Sequence, residues 1–207
     1  MATRLSTGPG SGPTSRRLPS AERRAAIVLA AREVFCAAGL RGARMRAIAE
    51  RAGVTEPLLY RHFASREELY QVAVEEHFTR LLDDTVAAAR RVQSAPSGPR
   101  KSRIMALTRI YLDAMVAIAP LAAVALYEDR PRGSRLYQAV VRPRLREAAA
   151  ALYQVSTGGE LPVGAENLVA VSLFGVPFGV ALDGMLRGRP VDLEDMAGRI
   201  ARLFPSR

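Results

Sequence analysis

The sequence predicts an all-α protein: a three-helix N-terminal head carrying a helix-turn-helix, then a larger helical body, with about nine helices in total. Three observations lead there. Apolar residues recur at three- and four-residue spacing over long runs, and no convincing strand stands out. Gly39, Gly53 and the segment SAPSGP at 94–99 cut the chain into helix-length pieces. Residues 45–66, MRAIAERAGVTEPLLYRHFASR, read as two short helices around a tight turn. With 207 residues, 49% of them hydrophobic, the chain is long enough for a sizeable core.

Residues 1–19 form a tail. Gly8, Pro9, Gly10, Gly12 and Pro13 oppose any helix, so disorder is expected. Its Arg4, Arg16 and Arg17 serve either as a passive solvated tail or as a minor-groove arm. A first helix is expected from an N-cap at Ser20 to about Ala38, with Ile27, Leu29, Ala30, Val34 and Phe35 inward and Gly39 as its stop. In the second helix Ile48, Ala49 and Ala52 share a face. Gly53 ends it in the left-handed conformation a residue without Cβ adopts freely, and Val54 plugs the gap to the next helix. Thr55 is placed to cap the third helix and Pro57 lies in its first turn, where a missing N–H is harmless. Leu59 and Phe63 face inward, Pro57 and Arg61 outward, Leu58 and Tyr60 flank, and Glu56 and His62 lie near the boundary. Ser65 with Glu68 has the spacing of a capping box for a long fourth helix, about 65–92. Further helices are expected at about 100–119, 120–127, 134–155, 165–186 and 193–204, with a kink at Pro143. The domain boundaries that follow are a tail to 19, a head at 20–66 and a body at 67–207.

The stretch 45–69 resembles the DNA-binding domain of the tetracycline-repressor (TetR) family of bacterial regulators. The anchors are Ile48-Ala49, Ala52-Gly53-Val54, Leu59-Tyr60-Arg61-His62-Phe63 and Ser65-Arg66-Glu67-Glu68-Leu69, within a match of about residues 20–72. The resemblance implies a homodimer with a divergent ligand-binding and dimerisation body. It also implies that Tyr60, His62 and Arg66 donate to phosphates, that Thr55 caps and touches a phosphate, and that Arg46 reads guanine. Glu56, Pro57, Leu58 and Arg61 complete the candidates for base edges. For Glu56 an equal alternative is a charge favoured by the helix dipole. Two departures stand out. Arg44 occupies a position usually held by a capping Thr or Ser and can still neutralise a phosphate. Leu58 replaces a small polar residue and can pack only on a thymine methyl.

Charge supports a polyanionic partner. Of a net +10, the first 66 residues carry +8, from twelve arginines against four glutamates. Arginine outnumbers lysine 29 to one, which favours bidentate contacts to phosphate and guanine, although a compositional bias gives the same ratio. In the body, Met105, Tyr111, Met115, Leu126, Tyr127, Phe174 and Phe178 suit an apolar pocket for a largely apolar effector, or ordinary core packing. Leu173, Gly175, Val176, Gly179, Leu182, Met196 and Ile200 are the candidate dimer interface, since the resemblance puts it in the last two helices. The uncharged stretch 167–182 is too short and too interrupted for a membrane span.

Other classes fit less well. Only two histidines occur, His62 and His77, with no metal-ligand spacing, nucleophile elbow or phosphate loop, so neither an enzyme, a metal nor a cofactor is expected. The single Cys36 excludes an internal disulfide and is expected to be a buried structural thiol. No secretory signal opens the chain, so a cytoplasmic location without a membrane partner is expected. The alternatives left are a small-molecule-binding helical protein without operator binding and a non-specific DNA-coating protein.

Overall fold

The computed structural model describes residues 19–95 and 98–188, with 192, 195, 196 and 198 beyond them. The expected tail, the second half of the last predicted helix and Ile200 lie outside the described residues. The helices are α1 (Ser20–Gly42), α2 (Met45–Arg51), α3 (Glu56–His62), α4 (Arg66–Tyr70), α5 (Glu76–Ser94), α6 (Arg100–Ala122), α7 (Arg130–Leu136), α8 (Arg142–Thr157) and α9 (Glu166–Arg187). Among the described residues no strand occurs. Three π-turns, Gln71–Glu75, Ala123–Tyr127 and Tyr137–Val141, join α4 to α5, prolong α6, and join α7 to α8. The expected long fourth helix is therefore continuous but widened once near its start.

Several boundaries differ from expectation for physical reasons. Ser20 is the first helical residue rather than the cap; Pro19 precedes it, and no side chain caps the end. Gly39 does break α1 (φ 72°, ψ 176°), with one short turn following to Gly42. The helix runs unbroken through Pro120. Proline leaves the carbonyl four residues back without its donor, but Val116 is exposed and water can take that carbonyl. Pro143 sits in the first turn of α8 directly after a π-turn, where Arg142 N–H reaches back to the Tyr137 carbonyl. The wider turn relieves the clash a proline ring makes in a regular helix, and Arg144 Nη1 donates to the Val140 carbonyl at 3.0 Å.

The core is continuous from head to body. One cluster joins Ile27, Phe35, Ile48, Leu59 and Phe63 of the head to Tyr70 and Phe78, then to Met115–Ala125 and Val141–Ala149 of the body. A second cluster, with Leu107, Tyr111, Ala151 and Leu152, fills the far end of the bundle. Leu29 was expected inward but is exposed, and its neighbour Val28 takes the inward place. Cys36 is only half-buried, and burial raises its thiol above the usual range. One helix, Arg100–Tyr127, is long and apolar enough by length and composition to cross a membrane, but ten residues of α6 lie in the core of the bundle.

Between α1 and α5, half-buried His77 faces Arg32 and Arg80. Burial, then those two cations, hold its pKa below the usual histidine value. A histidine depressed in the folded state protonates more readily when unfolded, so stability present above about pH 6.5 falls as pH drops toward the folded pKa. His77→Gln is expected to flatten the loss of stability measured in denaturant between about pH 7 and pH 5. Identical pH profiles for the two proteins would refute this role.

Candidate nucleic-acid interface

The candidate surface is built from short helices, α2 and α3, joined by a tight turn. Ile48 and Ala49 of α2 and Leu59 and Phe63 of α3 are buried together. Gly53 turns the chain at φ 65°, with nothing near its α-carbon on the outer side. Thr55 occupies the cap position of α3 in extended geometry, yet its side chain makes no capping bond, so the hydroxyl is not committed to the helix end. Arg44 holds the matching position before α2, also without capping. Arg24 lies 4.7 Å over the Phe63 ring and braces the end of α3 against α1.

Arg44, Arg46, Thr55, Pro57, Tyr60 and Arg61 are exposed, and Glu56, Leu58, His62 and Arg66 are half-buried at the edges. Tyr60 is 48% exposed, so its phenol is free of the core. Arg46 pairs with Glu50 at 2.8 Å on the same face of α2, which raises its pKa further. Arg51 is drawn away to Glu33 of α1, at 2.6 Å.

At the start of α4 the capping box forms in a shifted version. Ser65 Oγ accepts from Glu68 N–H at 3.0 Å, while the Glu68 carboxylate accepts from Ala64 N–H, one residue earlier than usual. The Glu67 carboxylate takes its own backbone N–H and is held below the usual carboxylate range. These amides are therefore committed, so what Arg66 can offer at this helix end is its guanidinium, which lies 3.3 Å from Glu67.

The body residues assigned to a pocket are not brought together. Tyr111 and Met115 are buried in different clusters, and the Tyr111 hydroxyl donates to the Ala148 carbonyl at 2.9 Å. Tyr127 is 67% exposed and Met105 also faces outward, so neither lines an enclosed cavity. Leu126 and Phe178 pack at the margin of the main core. The side chain of Phe174 lies outside those described. Two open grooves flank α5. One, of about 390 Å³, is edged by Asp83, Arg90, Arg144 and Glu147; the other, of about 570 Å³, includes Val92, Ile110, Arg91 and Arg103.

On α9, Gly175, Val176 and Gly179 are exposed and Leu182 is half-buried; Leu168, Val171 and Leu186 extend the same apolar exposure. A Cβ added at Gly175 or Gly179 would meet nothing within 4 Å, so the stripe opens outward. Met196 is half-buried, and the Leu173 side chain lies outside those described.

Sequence reasoning missed the joint between head and body. Glu128, Arg132 and Glu75 form it, with Tyr70 between them. Arg132 donates to Glu75 and its guanidinium lies 4.8 Å over the Tyr70 ring. Nothing local in the sequence marks these residues, because their partners lie 54 to 88 positions away.

An all-helical body behind an exposed helix-turn-helix invites comparison with known proteins of the same architecture. Residues 27–73 match the family described as "Bacterial regulatory proteins, tetR family". The HTH-type transcriptional activator FasR of Mycolicibacterium smegmatis is 36% identical over 104 residues, 50% of this chain and 45% of that protein. The match thus spans less than half the length of that relative. Among solved structures, the fatty acid degradation regulator FadR of Bacillus halodurans superposes with a TM-score of 0.63 at 18% identity, covering 95% of this chain and 96% of that one. FadR of Bacillus subtilis, solved with stearoyl-CoA, gives 0.62 at 15% identity, covering 88% and 97%. The segment 27–73 is thus similar to the DNA-binding part of the tetR family of bacterial regulatory proteins, and the chain as a whole shares its fold with solved TetR-family structures.

Proposed function

We propose that this protein is a sequence-specific transcriptional regulator that binds a near-palindromic DNA operator as a homodimer and is released by a largely apolar effector. The observation that carries the reading is the exposure of Tyr60 and Arg61 on a helix whose other side, Leu59 and Phe63, is locked in the core. A rigid rod with a free phenol and guanidinium fits a major groove, and the excess of arginine in the head supplies phosphate contacts. Two-fold pairing through the open apolar stripe of α9 would present two identical heads, hence the palindrome.

A neighbour of like fold, FadR of Bacillus subtilis, was solved with stearoyl-CoA, which favours a fatty acyl thioester as the effector class here. By linkage, an effector that weakens operator binding must itself be bound less tightly by the DNA-bound form, by the same factor. The sign of regulation has a second reading: the FasR relative is an activator, which favours activation by the bound dimer over repression.

Two substitutions sort the contacts. Tyr60→Phe is expected to weaken binding to all operators alike, as loss of a phosphate contact does. Arg46→Ala is expected to remove about 1–3 kcal/mol and to relax preference at one base pair. Competition binding against a panel of single-base operator variants reads both. A changed sequence preference in the Tyr60→Phe protein would contradict the assignment.

A further inference from the structure

We infer that Glu128 is a positioning residue for DNA binding: from the body, its carboxylate clamps the end of α1 and so sets the separation of the two heads. The inference rests on the DNA-binding reading above. Gly39, at φ 72° and ψ 176°, swings the chain off the axis of α1 and turns two backbone amides toward the body. Leu40 N–H donates to Glu128 Oε2, and Arg41 N–H donates to Oε1 at 2.8 Å. Charge-assisted bonds to one carboxylate are about twice as strong as neutral ones. A Cβ at residue 39 would lie 2.7 Å from Oε1, so the clamp closes only over glycine.

The clamp is anchored on its own side. Glu128 directly follows the π-turn Ala123–Tyr127. A Cβ at Gly133 would lie 2.1 Å from the Leu126 carbonyl oxygen, so α7 rests backbone to backbone on that turn. Four residues after Glu128, Arg132 grips Glu75 in the π-turn after α4 and covers the Tyr70 ring. Tyr70 in turn donates its hydroxyl to the Val124 carbonyl at 3.2 Å. Residues 128–132 thus hold α1 with a carboxylate and the start of the long fourth helix with a guanidinium. Arg44 and Arg46 follow Arg41 by three and five residues, so a shift at the clamp carries them with it.

The test uses the full-length protein and two duplexes, an operator palindrome selected from a random library and one isolated half-site. Glu128→Ala is expected to lose roughly tenfold in affinity for the palindrome while keeping its half-site affinity, since one head alone needs no fixed separation. Inserting one base pair between the half-sites should penalise the variant less than the parent. Glu128→Gln, which keeps one acceptor oxygen, should lose less. Hydrogen exchange at the Leu40 and Arg41 amides should accelerate in Glu128→Ala. A parallel fall in half-site affinity, or unchanged exchange at both amides, would overturn the inference. Failure of the parent protein to bind any duplex would instead remove the DNA-binding reading, while the exchange measurement still judges the clamp itself.

Discussion

Tyr70→Ala is expected to lower the unfolding free energy by about 3–5 kcal/mol, the range seen when a large buried aromatic side chain is deleted. Tyr70 is among the largest fully buried side chains described. Its ring meets Phe35 edge-on, 5.2 Å between centroids and 85° between planes, which ties α4 to α1. The substitution leaves a cavity, takes the donor from the Val124 carbonyl and removes the surface on which Arg132 rests. Burial, then the nearby Glu75, pushes the Tyr70 phenol above its ordinary pKa, so it remains a neutral donor throughout the range in which the protein is handled. Because domains of this kind are stable by about 5–15 kcal/mol, the loss is a large fraction of the total. Tyr70→Phe keeps the ring and should lose only about 0.5–1.5 kcal/mol. Denaturant midpoints for the three proteins check both values, and equal losses in the two variants would contradict the packing argument.

Tyr60→Ala combined with Arg61→Ala should do the reverse, leaving the fold intact while removing operator binding. Both side chains are exposed, and surface changes of this kind stay within about 0.5 kcal/mol of neutral. On DNA, each lost contact is worth about 1–3 kcal/mol, so the pair should weaken operator binding by roughly 30-fold to 10⁴-fold at fixed salt. The slope of log affinity against log salt should also fall by about one for each phosphate contact removed. Operator affinity within threefold of the parent would place the recognition surface elsewhere on the head.

The head was legible because its determinants are local. Ile48, Ala49, Leu59 and Phe63 declare their inward faces by spacing alone, Gly53 marks a turn that needs positive φ, and Ser65 with Glu68 announces the next helix. The same geometry put Arg61 outward and Tyr60 on a flank, and both side chains are exposed. Local signals also misled. Ser20 has the right chemistry for a cap but falls one residue inside the helix, and Pro120 was taken to divide a helix that runs on past it. Leu29 and Val28 are both strongly apolar, and only the tertiary packing of α1 decides which is buried. The joint at Glu128 was invisible for a deeper reason. A carboxylate 88 positions from Leu40 carries no sign of its partner until the fold brings them together. The described body residues read as a pocket are dispersed, because an apolar pattern does not distinguish a core from a cavity lining; Tyr111 is core, and Tyr127 faces solvent.

The most direct test of the account is selection of bound sequences from a random duplex library by the full-length protein at physiological salt. Enrichment of one near-palindromic consensus is expected, with two half-sites at fixed spacing, and its loss in the Tyr60→Ala, Arg61→Ala protein. Uniform recovery, no recovery, or an unchanged consensus in the doubly substituted protein would contradict it.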